Sequence, residues 1–129
     1  MKLNIDCIRD ILLAVEDATA ENKTFRYGKA GPCPRRLAGY SHSELVYHFR
    51  QCRAAQLFEH YTGDDMGRLI VVTDLSPDGH KFLENIRQDS AWDKVKAAAA
   101  SAGSLSVSAF VQIAFDIAGD ILKGRLGLT

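Results

Sequence analysis

A helix start is spelled out in full within residues 40–59, YSHSELVYHFRQCRAAQLFE. Ser41 followed three residues later by Glu44 is a capping box: the hydroxyl accepts from one free backbone N–H and the carboxylate accepts from another. Tyr40 and Leu45 occupy the two staple positions around that cap. From this start, Leu45, Phe49 and Cys52 point one way on a helical wheel, and Ser43, Tyr47, Arg50, Gln51 and Ala54 point the other. Arg53 falls toward the buried side, and His48 sits on the border as a satisfied, half-buried histidine. A hairpin follows directly: LFEHY alternates as a strand does, TGDDMG is a turn with glycines at both ends, and RLIVVTDL is a buried strand.

The flanking segments are read in the same way. In LNIDCIRDILLAVEDA, Ile5, Ile8, Leu12 and Val15 recur at helical spacing and Ile11 widens the stripe. Asn4 is the expected N-cap, Asp6 sits in the first turn, and Leu3 can staple against Ile8. Residues 19–39 carry no period and are punctuated by Gly28, Gly31, Pro32, Pro34 and Gly39; Phe25 to Tyr27 suits one short strand and Leu37 to Tyr40 another. Beyond the hairpin, Ser76 as N-cap and Pro77 at the first helical position open a helix whose inner face is Phe82, Leu83 and Ile86. A further helix is anchored by Trp92 and Val95, favoured by the alanines from Ala97 to Ala100, and stopped at Gly103.

The last helix, within SLSVSAFVQIAFDIAGDILKG, is apolar around most of its circumference, and Ser108, Gln112, Asp116 and Asp120 form a narrow polar stripe. Such a helix is buried by its own domain, by a second copy, or by lipid. Asp116, Gly119 and Asp120 interrupt a stretch that only just reaches spanning length, and an acidic stripe does not suit a membrane surface. The expectation is therefore no membrane, an internal core, and a homodimer seam through Phe110, Ile113, Ile117 and Ile121.

Net charge is zero over 129 residues, but the charge is unevenly placed. Between Lys23 and Arg53 stand Lys23, Arg26, Lys29, Arg35, Arg36, Arg50 and Arg53, with Glu44 as the one acid. A polarised small protein can attract polyanions on one side while remaining neutral overall; the plainer reading is solvated loop arginines. Cys7, Cys33 and Cys52 form no Cys-x-x-Cys pair, and the charged opening MKLNIDCIRD is no secretory leader, so reduced thiols and a cytoplasmic location are expected. Cys33, between two prolines, reads as incidental.

Helix, loop with short strand, capped helix, hairpin, helix is the order of a winged-helix domain. The reading is an α+β chain with such a domain over residues 1–90 and a C-terminal helical extension over residues 91–129, forming one structural unit. The second helix usual in winged helices is not evident. Three blocks, MKLNIDCIRDILLAVE, YSHSELVYHFRQCRAAQLFE and VTDLSPDGHKFLENIRQDSAWDKVK, resemble the successive blocks of the domain of unknown function family 2513, over roughly residues 1 to 125. The third is the most specific, through Asp74, Leu75, Gly79, His80, Phe82, Leu83, Ile86, Arg87 and Trp92. The resemblance implies a winged-helix-like fold in a short cytoplasmic bacterial or prophage protein, often on mobile elements, and it implies no activity. Related winged helices often close the middle helix with Ala-Gly-Leu where this chain has Ala55, Gln56 and Leu57. Either Gln56 is left-handed, at a cost on the order of 1 kcal/mol relative to glycine, or the turn differs and with it the angle at which the helix meets the wing.

Two function classes follow. For double-stranded DNA, Ser43, Tyr47, Arg50 and Gln51 face outward from the middle helix, and Arg26, Lys29, Arg35 and Arg36 supply backbone contacts. Against DNA stands the wing tip, where Asp64 and Asp65 repel phosphate. The competing class is a protein-interaction module that docks on a host protein, warranted by the apolar last helix and the acidic tip. An enzyme is not expected: His42, His48, His60 and His80 lack metal spacing, no cofactor motif is present, and the pairs Asp64–Asp65 and Asp74–Asp78 are explained by turns and caps.

Overall fold

The structure, a computed structural model, describes residues 1–64, 66–103 and 105–127. It is α+β: the described residues form five helices and a small three-stranded antiparallel sheet, ordered α1 (Ile5–Thr19), β1 (Phe25–Tyr27), α2 (His42–Ala54), β2 (Tyr61–Thr62), β3 (Ile70–Val72), α3 (Pro77–Ile86), α4 (Asp89–Ala100) and α5 (Val107–Arg125). Two compact units divide the chain, Met1–His80 and Lys81–Thr129. The division falls inside α3.

In the first unit, α1 starts where Asn4 Oδ1 accepts from the Asp6 N–H at 3.0 Å, and it buries Cys7, Ile8, Ile11, Leu12, Ala14 and Val15. Against it lies α2, whose capping box is complete: Ser41 Oγ accepts from the Glu44 N–H at 3.1 Å, and Glu44 Oε1 accepts from the Ser41 N–H at 3.2 Å. The two helices are also joined through His48, which is fully buried rather than half-buried. Its Nε2 accepts from the Asn4 N–H at 2.8 Å, so the ring proton is on Nδ1, which donates to the Glu44 carbonyl at 2.6 Å. A buried imidazole with both nitrogens satisfied is stabilising, where an unsatisfied one would be costly.

The end of α2 is a left-handed closure. Gln56 adopts φ +61°, the Leu57 N–H donates to the Cys52 carbonyl at 3.0 Å, and the Gln56 N–H donates to the Arg53 carbonyl at 2.9 Å. This bond pair is the Schellman motif, here built without the usual glycine. Buried Leu57 and buried Cys52 supply the apolar contact positions of that motif.

The sheet order is β1–β3–β2, with Phe25 opposite Val72, Tyr27 opposite Ile70, and Tyr61 opposite Val72 on the other edge. Alternation puts Phe25, Tyr27, Ile70 and Val72 into the core and Arg26 out to solvent. The hairpin extends past β2 and β3: Glu59 N–H donates to Asp74 O at 2.9 Å, Thr73 N–H donates to His60 O at 3.2 Å, and Phe58 bridges Leu75. Phe49 sits at the centre of the aromatic core, with ring centroids 5.5 Å from Phe25, 5.9 Å from Tyr27 and 6.2 Å from Phe58.

Leu37 to Tyr40 is not a strand. Residues Arg35–Leu37 form a 3-10 turn, continued by bonds from Ala38 N–H to Arg35 O and from Tyr40 N–H to Leu37 O. The turn packs against α1 and buries Leu37 completely, which satisfies the segment's backbone locally and leaves nothing to offer a sheet.

As expected, α3 opens on Ser76, whose Oγ accepts from the Gly79 N–H at 3.0 Å and donates to the Gln56 carbonyl at 2.7 Å. Gly79 lies so close to the Leu57 carbonyl that no side chain fits there. In the second unit, α4 packs along α5, burying Trp92, Val95 and Ala99 on one helix and Val107 and Ala114 on the other. Gly103, at φ +83°, lies beyond the end of α4.

Candidate nucleic-acid interface

Ser43, Tyr47 and Arg50 follow one another at i, i+4 and i+7 on α2, so they form one stripe along the helix. The stripe is exposed at Ser43 and Arg50 and half-buried at Tyr47, with Leu45, Phe49 and Cys52 on the opposite side of the helix. It borders a recess of about 330 Å³ that Lys29 and Met66 also line.

What holds that recess open is a meeting of three segments. The Met66 carbonyl can only accept, so His42 Nε2 donates to it at 3.0 Å, and His42 Nδ1 accepts from the Tyr27 hydroxyl at 2.8 Å. The hairpin tip, the first turn of α2 and the end of β1 are thereby tied together. Gly67, at φ +67°, lets the tip press on Val46, where a Cβ would overlap the Val46 methyl. Gly28 permits a similar approach to the Arg68 carbonyl, 2.7 Å from where its Cβ would lie. The tip is thus folded back on α2. Burial pushes the Tyr27 hydroxyl's pKa above its ordinary value, and the nearby Cys33 adds to this.

At the other end of the stripe, Arg53 corrects the helical-wheel reading. It is exposed, and its guanidinium lies 5.2 Å over the Tyr61 ring because the hairpin bends past the helix end. Burial raises the Tyr61 pKa, while Arg53 and Arg50 pull it back down. Arg68 was missed from the sequence because it reads as the first residue of a strand. It stands on the hairpin tip with its side chain 82% exposed, its N–H donating to Asp64 Oδ1 at 2.9 Å and its Nε 4.0 Å from Asp64 Oδ2. The tip's acid is therefore paired with a cation beside it; Asp65 lies outside the described residues.

The remaining residues named from sequence go elsewhere. Arg26, Arg35 and Arg36 line a second recess of about 710 Å³ against α1, which shares no lining residue with the first. Gln51 is half-buried and lines neither. On α5, Phe110, Ile113, Ile117 and Ile121 are partly buried, and the strongly exposed apolar residues are Phe115, Leu122 and, just past the helix end, Leu126. Cys7, Cys33 and Cys52 are free thiols, of which only Cys33 is exposed. Burial pushes the Cys7 thiol up to about 12, with Asp10 and Glu44 nearby adding to the effect. Burial raises Cys52 as well. Among the described residues no group of three or more histidines, cysteines and acids is placed to hold a metal ion, and no helix is long and apolar enough to cross a membrane.

Comparison with known proteins places this geometry in context. The model of the family described as "Hypothetical protein (DUF2513)" matches residues 2–105. A protein of Haemophilus influenzae described as "Uncharacterized protein" is 28% identical over 124 residues, covering 95% of this chain and 99% of that one. No solved structure matches.

Proposed function

The chain belongs to the DUF2513 family, and from that footing we propose that it is a small non-enzymatic regulator that binds double-stranded DNA through α2, on a domain of winged-helix type. The winged-helix reading is supported by the order α1, β1, 3-10 turn, α2, β2, β3 and by the sheet order β1–β3–β2, in which the strand after the first helix joins the hairpin. The 3-10 turn at Arg35–Leu37 takes the place of the usual second helix.

The observation that carries the DNA reading is the stripe of Ser43, Tyr47 and Arg50, beside a recess that Lys29 also lines and with exposed Arg53 one turn further along α2. Arginine on such a stripe holds guanine bidentately, and hydroxyls on the first turns take phosphate. Gly67 and the His42 bonds hold the tip beside the helix, so the cations are positioned before any ligand arrives. Three such cations predict a log–log salt slope of about −3. Anisotropy of a labelled random duplex should therefore rise at low salt and fall steeply as salt is added. The double variant Lys29→Ala, Arg50→Ala should lose most of the signal and flatten the slope by about two. No anisotropy change at about 50 mM salt would sink the reading, since nonspecific DNA binding is strongest there.

A protein-docking role is the second reading, favoured by one feature. Phe115 and Leu122 lie seven residues apart and so share one side of α5, Leu126 follows just past its end, and the three are 63%, 57% and 63% exposed. A second copy or a host protein would bury that strip. The phage-borne or mobile-element setting and the cytoplasmic location are proposed with the first reading.

A further inference from the structure

We infer that the larger recess of the first unit is a binding site for a small flat organic anion, a planar apolar ring bearing a carboxylate or phosphate. At about 710 Å³ it falls among cavities that take small organic ligands, about 300–1,000 Å³. Its floor is apolar and made of small or flat groups: Ala14 and Phe25 are 5% and 1% exposed, with Ala18 and Pro34 beside them. Two alanines one helical turn apart leave a shallow slot on α1, suited to a ring and too smooth to grip a chain of phosphates.

The rim is cationic and drawn from two elements, Arg26 on β1 and Arg35 and Arg36 on the 3-10 turn. Arg36 is held by Asp17, with Nε 3.0 Å from Oδ2. Arg26 and Arg35 are exposed, and their guanidiniums make no hydrogen bond or ion pair among the described residues. Three guanidiniums against one carboxylate leave the rim with a surplus of two positive charges. A free guanidinium fork is the side chain best matched to a carboxylate or phosphate, which it can hold with two parallel bonds. Thr24 adds a hydroxyl at the same rim. Apolar floor and cationic rim together select a ligand with a ring at one end and an anion at the other. This recess is separate from the α2 recess, so the inference stands whether or not α2 binds DNA.

The test is an amide ¹H–¹⁵N titration of the full chain with 2-naphthoate, with the uncharged 2-naphthalenemethanol, and with inorganic phosphate. 2-Naphthoate should shift amides of residues 14–18, 24–26 and 34–36 saturably, and bind about tenfold more tightly than either comparator. The variant Arg26→Ala, Arg35→Ala, altered at two exposed positions, should keep the wild-type melting temperature and lose that tenfold advantage. Ala18→Leu should fill the slot and weaken 2-naphthoate while leaving phosphate unchanged. Several outcomes overturn the proposal: shifts confined to residues outside these segments, equal affinity for the alcohol, equal affinity for phosphate, or unaltered binding by the double arginine variant.

Discussion

Helices α2 and α5 both open on a serine that accepts from the backbone N–H three residues on, at 3.1 Å from Glu44 and 3.2 Å from Ala109. Both also close on a left-handed residue, Gln56 at φ +61° and Gly127 at φ +70°. Between those ends they differ. In 13 residues α2 buries Leu45, Val46, His48, Phe49 and Cys52. In 19 residues the far more apolar α5 fully buries Val107 and Ala114, and leaves Phe115 and Leu122 in solvent. Burial is thus set by the neighbours a helix meets, and not by how apolar it is. On α2 an amphipathic pattern meets a matching set of rings and aliphatic groups. On α5 apolar residues run round more of the circumference than is covered, and the surplus stays at the surface.

The harshest trial of this contrast is Phe49→Ala. Phe49 is fully buried among Phe25, Tyr27 and Phe58, and its truncation should cost about 3–5 kcal/mol by urea unfolding. A cost below about 1 kcal/mol would mean that α2 is no better packed than α5.

Alkaline pH probes the same side of the molecule. The Cys7 thiol, buried on α1, has a folded pKa raised from 9.0 to about 12, so the folded state keeps a proton that the unfolded chain loses. The stability due to this group is complete below pH 9, declines as pH rises from 9 toward 12, and is then gone. Melting temperatures should fall across that window, and fall less in Cys7→Ala. An equal fall in both proteins would assign the effect to other groups.

The helix ends offer a smaller and opposite effect. Gln56 carries a side chain in a conformation that suits glycine, whereas α5 already has Gly127 at that place. Gln56→Gly should therefore stabilise the protein by about 1 kcal/mol, and a loss of stability would show that the glutamine side chain contributes more than its backbone strain costs. The smallest change is expected from Phe115→Ser on α5, within about 0.5 kcal/mol of wild type because the ring is already in water. A loss of more than about 2 kcal/mol would show that this ring is covered in solution.

Legibility of the sequence follows the same divide. Caps at Asn4, Ser41 and Ser76 are readable because each is satisfied by a donor two or three residues away. The strand Phe25–Tyr27 was legible from its residue types, but its pairing with Ile70–Val72 was not, since the partners are distant in sequence. Leu37 to Tyr40 misled because Leu37's burial under α1 decides that segment, and no local pattern announces it. Arg53 misled because a wheel drawn on one helix has no place for Tyr61, which reaches it from the hairpin. Arg68 had a weak signal, a cation directly after an acidic glycine-bounded turn, that strand periodicity masked.

The starts of α1, α2 and α3 were written in the order of residues, because each cap is closed by bonds within a few positions along the chain. The grouping of cations into two recesses, one at α2 and one against α1, was decided only when distant segments met. Gly28, Gly67 and His42 bring β1, the hairpin tip and α2 to one corner, and Leu37 carries Arg35 and Arg36 to another. Charges spread along thirty residues share a surface only where the folded backbone places them, and that placement rests on long-range packing rather than on any local rule.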